Sequence, residues 1–319
     1  MKGKFLNCRN LRKSWFPVMT TINDDLTILL TTKGRHLHTL RWLWHANRIC
    51  LPFHVYIADG QPNQTVVNLL SHKDTFPNIS YQHELYEDND FSCYYKKQED
   101  ALSRVKTEFV MFSDNDDFVL PSSIEENITF LKDNIDHVGA SGRIGWFHLT
   151  KTQTDGPRQV VGTPAFLFPT TGGYAPRSID ENKPRSRVVR GLTPYTVTYY
   201  SVFRTKQLSI AASECSKINF YSLNNAELFY HLRMLCFGSV HIDERLVSYI
   251  RQKDTSSGTG NYDIFEKLLT GSHSYDIRKL IQLISSNSTE NDKEEKEMVN
   301  ELFAISRERL IERVSVEFP

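Results

Sequence analysis

A chain of 319 residues and 37.0 kDa can bury a substantial core, enough for one large domain or two small ones. Lysine plus arginine balance aspartate plus glutamate at 38 each, which excludes the overall basic field that sequence-independent nucleic-acid binding requires. The five cysteines (Cys8, Cys50, Cys93, Cys215 and Cys236) are odd in number and form no CxxC pair, which argues against a disulfide framework or zinc site and fits a reducing cytosol.

Residues 1–24 form a basic amino-terminal segment. Its first 18 residues carry Lys2, Lys4, Arg9, Arg12 and Lys13 among Phe5, Leu6, Trp15 and Phe16, with no acid. The plain reading is a basic end that packs its aromatics on the domain; the alternative is peripheral contact with an anionic membrane surface. The segment lacks the apolar core of a signal peptide, and no window reaches the roughly 18 apolar residues of a membrane span. The expected location is therefore the cytoplasm, with the inner face of the membrane as the place for any peripheral contact.

Leu26–Thr31 is a short β-prone run, followed by the loop TTKGR and a helix over 36–49 with Leu37, Leu40, Leu43 and Trp44 at helical spacing. FHVYIA (53–58) is a second strand, closed by the turn signal Asp59-Gly60. A helix over QPNQTVVNLLSHK, a short strand at 79–82, a helix over 94–105 and a strand at 109–113 follow. A helix over SSIEENITFLKDN comes next, with a capping-box pattern at Ser122 or Ser123 and Glu125 or Glu126. Strands alternating with helices predict a doubly wound sheet whose ligands sit at the carboxyl ends of the strands. On that rule Thr32 to Arg35, Asp59 and Asp114 to Asp117 converge on one crevice.

Beyond a strand at 138–142, residues 150–196 are rich in Gly, Pro and Arg. The basic residues from Arg177 to Arg190 read either as a solvated loop or as a phosphate-facing cover. TVTYYSVFR predicts a further strand, 225–237 a helix, and VHIDERLVSYIR a strand pair. After the flexible joint SSGTG (256–260) the remainder to 319 reads as a helical carboxyl-terminal appendage.

The most informative stretch is VMFSDNDDFVLPSS (110–123), where an apolar strand ends in Asp114, Asn115, Asp116 and Asp117 without a basic residue among them. Ordinary turn chemistry is one explanation. An EF-hand is excluded because Phe118 stands where a ligand belongs and Val119 where the turn needs glycine. The third reading is a site for a hard divalent ion, Mg²⁺ or Mn²⁺, and a diphosphate. There is no GxxxxGK[ST], HExxH, GxSxG or GxGxxG after the first strand, and His36 and His38 diverge on a helix, which disfavours them as a ligand pair.

The ordered set LTILLTTKGRHLHTLRWL, FHVYIADGQ and KKQEDALSRVKTEFVMFSDNDDFVLPSSI resembles the nucleotide-sugar half of GT-A fold glycosyltransferases of the family-2 type. The resemblance covers residues 25–135 well and 136–255 loosely. It implies a Rossmann-like doubly wound mixed sheet over 25–255, with a nucleotide-sugar half at 25–135 and an acceptor half at 136–255. It further implies Thr31, Thr32 and Arg35 at the nucleoside and diphosphate, Asp59 at the base or ribose, and Asp114 with Asn115 on the ribose or metal side. Asp116 is implied as the principal metal ligand, and Lys97 as a residue near the phosphates. Ala58 departs from the aspartate often found there.

In the second half, FYSLNNAELFYHL resembles the family's acidic helix start, with Glu227 left as the one candidate base; the plain alternative is a surface glutamate in the first helical turn, stabilised by the helix dipole. LVSYIRQKDTSSG resembles its Tyr-Arg-x-His segment, with Arg251 as a phosphate clamp or a structural ion pair and Gln252 in place of histidine. The implied function is metal-dependent transfer, with inversion, of a sugar from a nucleotide-sugar donor, a UDP-sugar first, to a carbohydrate or lipid-linked acceptor in surface polysaccharide or lipopolysaccharide synthesis. The rival readings are a non-catalytic scaffold or carbohydrate-binding module with this fold, and a sugar nucleotidyltransferase. The latter would need a Gly-rich loop that TTKGRHLH does not supply.

Overall fold

The computed structural model describes residues 24–149, 162, 164–167, 177–193, 196–221, 223–252 and 274–317. The expectations for residues 1–18 and for the joint at 256–260 lie outside them.

Four strands build the first half: β1 (Leu26–Thr32), β2 (His54–Asp59), β3 (Ser80–Leu85) and β4 (Phe109–Ser113). They pair in parallel in the order β3-β2-β1-β4. Leu26, Ile28, Leu29, Leu30, Phe109, Val110 and Met111 have no exposed surface, so the two central strands read as continuous apolar runs and not as alternating ones. That is the pattern of strands covered by helices on both faces. Each such side chain contributes about 1.5–3 kcal/mol on burial, which fixes the sheet interior and leaves polar residues only at the strand ends.

The crossover helices are α1 (His36–Arg48), α2 (Gln64–Ser71) and α3 (Phe91–Arg104). Helix α1 buries His38, Thr39, Trp42, Leu43, Ala46 and Asn47, while Leu37 and Trp44 are 54% and 46% exposed, so the buried face is rotated from the leucine stripe that the spacing predicted. Polar residues on the buried face have partners: Thr39 Oγ1 accepts from Asn115 at 2.9 Å, and Asn47 Oδ1 accepts from the Asn78 backbone N–H at 2.8 Å. Helix α3 begins at Phe91, three residues before the predicted start, because Asp90 caps it by accepting from Cys93 N–H at 2.8 Å.

The two-residue strand β5 (Phe118–Val119) leads into α4 (Pro121–Asp133). The predicted capping box is absent: Leu120 is the N-cap, Pro121 opens the helix, and the Ser123 hydroxyl is turned inward to Ser248. The predicted strand at 138–142 is the first part of a longer one, β6 (His137–Leu149), which β7 (Pro164–Leu167) flanks. A helix, α5 (Pro184–Leu192), occupies part of the stretch read as loop. Of TVTYYSVFR only β8 (Val202–Arg204) is strand; Thr196 to Ser201 is irregular and buried. Helix α6 (Thr205–Ile218) was not foreseen, although Leu208, Ala211, Ala212 and Cys215 recur at helical spacing and are its buried face. It is followed by α7 (Leu223–Phe237) and by β9 (Ser239–Gln252), which is one strand and not the predicted pair.

The sheet continues from β4 through antiparallel β8 to β6, and then to β9 and β5, giving a mixed sheet in the order β3-β2-β1-β4-β8-β6-β9-β5. The expected α/β fold with a mixed sheet is thus present. Helices α8 (Ser274–Ser288) and α9 (Asp292–Glu317) follow. They pack on the second half: Arg185 of α5 pairs with Glu297 and Glu301 of α9. Asp276 of α8 has no exposed surface and accepts from the Tyr221 backbone N–H at 2.8 Å and from Asn225 Nδ2 at 2.9 Å. A carboxylate beside the start of α7 is favoured there by the helix dipole. Replacing Asp276 by Ala leaves the buried Asn225 amide without this acceptor and removes the bond to Tyr221 N–H, and urea unfolding is expected to show a loss of about 1–3 kcal/mol.

Candidate active site

The parallel register aligns the ends of three strands. Thr32 lies opposite Asp59 and Leu30 opposite Ser113, so the loops after β1, β2 and β4 leave the sheet side by side. Gly60 N–H donates to the Thr32 carbonyl at 2.9 Å, tying the first two loops together. The loop after β1 turns through left-handed backbone at Gly34 (φ 62°) and Arg35 (φ 53°), and this aims the Arg35 side chain at the loop after β4.

There, carboxylate oxygens of Asp114, Asp116 and Asp117 lie within 4.8 Å of one another. Three charges so close would repel strongly, and the surrounding residues offset them. Arg35 Nη1 pairs with Asp116 Oδ2 at 2.5 Å, and Arg41 Nη2 donates to the Asp116 carbonyl at 2.8 Å. The Tyr200 hydroxyl donates to Asp114 Oδ2 at 2.7 Å, while the Asp114 backbone N–H donates to the Tyr249 hydroxyl at 2.9 Å. Gln252 N–H donates to Asp117 Oδ1 at 2.8 Å, and Arg251 Nε stands 3.5 Å from Asp117 Oδ2. Asn115 donates to Thr39 and, at 3.4 Å, to the Arg35 carbonyl, which fastens the loop to α1.

The electrostatics follow from this crowding. Burial, then the charge of Asp116, pushes Asp114 above the usual carboxylate range, against the pull of Arg251, Tyr200 and Arg35. The same two causes push Asp117 well above it. Burial raises Glu227 on α7 as well; Arg251 pulls it down and Asp114 pushes it up, so the candidate base shares one electrostatic environment with the aspartate cluster. Burial works against the charge of Arg251, but Tyr200, Asp117, Glu227 and Asp114 outweigh that and hold its pKa well above the ordinary value.

Asp117 Oδ2 is buried without a hydrogen bond, and the three carboxylates offer only oxygen donors. That donor set and the orphaned oxygen fit a hard divalent cation, with Asp114, Asp116 and Asp117 as the residues to hold it.

Of the residues singled out from sequence, Arg35, Asp114, Asn115, Asp116, Arg251 and Glu227 come together here. Asp59 and Lys97 belong to an adjoining group. Asp59 Oδ1 accepts from Gln61 N–H at 3.2 Å, and its Oδ2 lies 3.2 Å from His83 Nε2. Lys97 is 1% exposed, and its ammonium donates to the Thr32 carbonyl at 2.9 Å and to Asp88 Oδ2 at 2.5 Å; Lys33 reaches the other Asp88 oxygen at 3.2 Å. Lys97 therefore braces the loops after β1 and β3 from within, its charge opposed by burial and supported by Asp88. Thr32 is buried, with its carbonyl taken by Gly60 and Lys97, and Thr31 is partly exposed beside it.

The arginines between 177 and 190, read from sequence either as a solvated loop or as a phosphate-facing cover, have partners within the protein. Arg187 donates to the carbonyls of Leu235, Glu181, Asn182 and Cys236, Arg190 pairs with Glu181, Arg185 with the α9 glutamates, and Arg177 with the Thr193 carbonyl. Sequence reasoning missed Asp88, Tyr200, Tyr249 and the part played by Asp117. The acidic run signalled Asp117; Tyr200 sat in a stretch that read only as strand, and Tyr249 lay in the segment whose resemblance pointed to Arg251 instead.

No protein-family model matches the sequence, and no curated protein sequence does. Solved structures of S. aureus TarS share the fold. TarS 1–349 with UDP-GlcNAc superposes with a TM-score of 0.54 at 14% identity, covering 92% of this chain and 76% of that one. The complex with UDP gives 0.52 at 14%, covering 88% and 70%. A longer TarS chain gives 0.53 at 13%, covering 88% of this chain and 43% of that one. The chain therefore has the GT-A fold found in glycosyltransferases.

Gly60 marks how tightly the first two loops meet: an added Cβ would lie 2.3 Å from Asp88 Cβ and 2.7 Å from Lys97 Nζ. Gly60→Ala is expected to cost about 1–3 kcal/mol by overpacking, read from urea unfolding.

Proposed function

We propose that this protein is a glycosyltransferase that moves a sugar from a nucleotide-sugar donor, a UDP-sugar first, to a hydroxyl of a carbohydrate or lipid-linked acceptor, with inversion and with Mn²⁺ or Mg²⁺. The observation that carries the reading is that Asp114, Asp116 and Asp117 meet Arg35 and Arg251 beyond the carboxyl ends of the strands, with Glu227 in electrostatic reach of Arg251 and Asp114. In this fold, TarS has been crystallised with UDP and with UDP-GlcNAc. Surface polysaccharide or lipopolysaccharide precursors as acceptors rest on the family resemblance of the sequence.

Glu227 takes the proton of the acceptor hydroxyl as its oxygen attacks the anomeric carbon, and the bond from that carbon to the diphosphate oxygen breaks. A base is most effective when its pKa approaches the working pH, and burial moves Glu227 in that direction. Arg35 and Arg251, which pair with Asp116 and Asp117, are placed to turn toward the departing diphosphate. A divalent ion held by the aspartates would supply further neutralisation of that leaving group.

The test is titration calorimetry with a panel of sugar nucleotides, with and without Mn²⁺, followed by transfer assays with the donor that binds. Asp116→Ala is expected to lower transfer by about 10²–10³-fold. Glu227→Gln is expected to lower it by about 10²–10⁴-fold with donor affinity kept. Failure of every sugar nucleotide to bind would overturn the reading and leave a scaffold with this fold.

A further inference from the structure

Tyr200 contacts both the aspartate cluster and Arg251. Its hydroxyl donates to Asp114 Oδ2 at 2.7 Å, and the Arg251 guanidinium lies 4.8 Å from its ring centroid. The Tyr249 ring stacks on it at 4.3 Å with an interplanar angle of 14°, and the Tyr249 hydroxyl accepts from the Asp114 backbone N–H. Two tyrosines thus grip one aspartate, one by its carboxylate and one by its backbone.

The segment that carries Tyr200 is buried but not strand, and side chains fix its course. The Thr198 hydroxyl lies 2.7 Å from His231 Nδ1 on α7, the helix that also bears Glu227. Tyr199 stacks on Phe112 of β4 at 4.8 Å, and its hydroxyl accepts from Gln98 of α3, whose Oε1 accepts from Tyr230 of α7. The irregular stretch is therefore braced from β4, α3 and α7, the elements that lead to the aspartates and to the candidate base. A strand would point consecutive side chains to opposite faces; the irregular path instead keeps the Tyr199 and Tyr200 rings in edge-to-face contact, with centroids 5.1 Å apart.

We propose that Tyr200, backed by Tyr249, is a positioning residue for the site: its hydroxyl orients the Asp114 carboxylate and its ring seats the Arg251 guanidinium. This rests on the reading of the aspartates as a cation and diphosphate site. A hydrogen bond to a ligating carboxylate fixes which lone pair faces the ion, and removal of such support typically weakens metal affinity by 10–100-fold. A guanidinium over an aromatic face is held in one plane by attraction to the ring, so it meets an incoming phosphate already oriented.

The test measures Mn²⁺ binding by electron paramagnetic resonance in the presence of UDP, together with thermal melting, for the wild-type chain, Tyr200→Phe and Tyr200→Leu. UDP binding with EDTA present supplies a separate, metal-free readout. Tyr200→Phe keeps the ring and removes the hydroxyl; it is expected to weaken Mn²⁺ binding by about 10–100-fold while metal-free UDP affinity stays at the wild-type value. Tyr200→Leu removes both and is expected to weaken metal-free UDP binding as well. Tyr200→Phe with wild-type Mn²⁺ affinity, or with a lowered melting temperature as its sole change, would show a core tyrosine and overturn the inference alone. A wild-type chain that binds UDP but no Mn²⁺ would overturn both the cation reading and the assignment of the hydroxyl.

Discussion

The rest of the site depends on one electrostatic constraint: three aspartate side chains must share a space in which their oxygens lie within 4.8 Å, beyond the end of a strand with almost no exposed surface. With Asp116 and Asp117 buried and Asp114 half-buried, water screens these charges poorly and the protein must supply the rest. It uses Arg35 from the loop after β1 and Arg251 from β9, more than two hundred residues later in the chain. Because the compensating charges come from both halves, the parallel half and the mixed half are joined at the place where the carboxylates gather. The sheet order that sets β5 and β9 beyond β6 serves the same end, since the β5–β9 pairing carries Arg251 and Gln252 to Asp117.

A second layer of buried charge holds the loops that present the site. Lys97, Asp88 and the Thr32 carbonyl form a compact group beneath the loops after β1 and β3, and Gly60 is packed so closely on it that no side chain fits. A buried lysine is costly unless paired, and Asp88 supplies the pair. The cost is repaid in geometry: removing Asp88 strands the Lys97 charge in the interior, and removing Lys97 leaves Asp88 with Lys33 alone, so the pair holds the loops together. That rigidity lets Asp59 face His83 and the Gln61 amide while Arg35, a few residues from Thr32, reaches the aspartates.

Much of the first half was legible because its signals are local and periodic. Continuous apolar runs announced β1, β2 and β4, and the turn at Asp59-Gly60 and the acidic run after Ser113 fell at their carboxyl ends as the doubly wound rule requires. The second half obscured its structure for identifiable reasons. TVTYYSVFR has strand composition, yet Thr198 and Tyr199 are drawn by His231 and Gln98 into a path with no ladder, a tertiary override that no local pattern records. The arginines between 177 and 190 looked like a cationic cover because charge is visible in sequence and partners are not; most of their partners are backbone carbonyls. Asp276 carried no sequence signal at all, since its acceptor role depends on α8 returning to the start of α7.

The pairing of aspartates with arginines bears on how a donor would enter. A nucleoside diphosphate brings negative charge toward carboxylates that already repel one another, so binding without rearrangement is opposed by electrostatics. On the proposed reading Arg35 and Arg251 resolve this by exchanging partners, moving from carboxylate to phosphate, and Asp114, Asp116 and Asp117 would hold a divalent ion whose charge offsets their own. The exchange requires that the arginines be held firmly enough to stay oriented and loosely enough to turn. The long 3.5 Å separation between Arg251 and Asp117, with Arg251 resting on the Tyr200 ring instead of in a two-point grip on a carboxylate, meets both conditions. Arg35, in a close pair with Asp116, is the more tightly committed of the two, so Arg251 is the arginine free to lead that exchange.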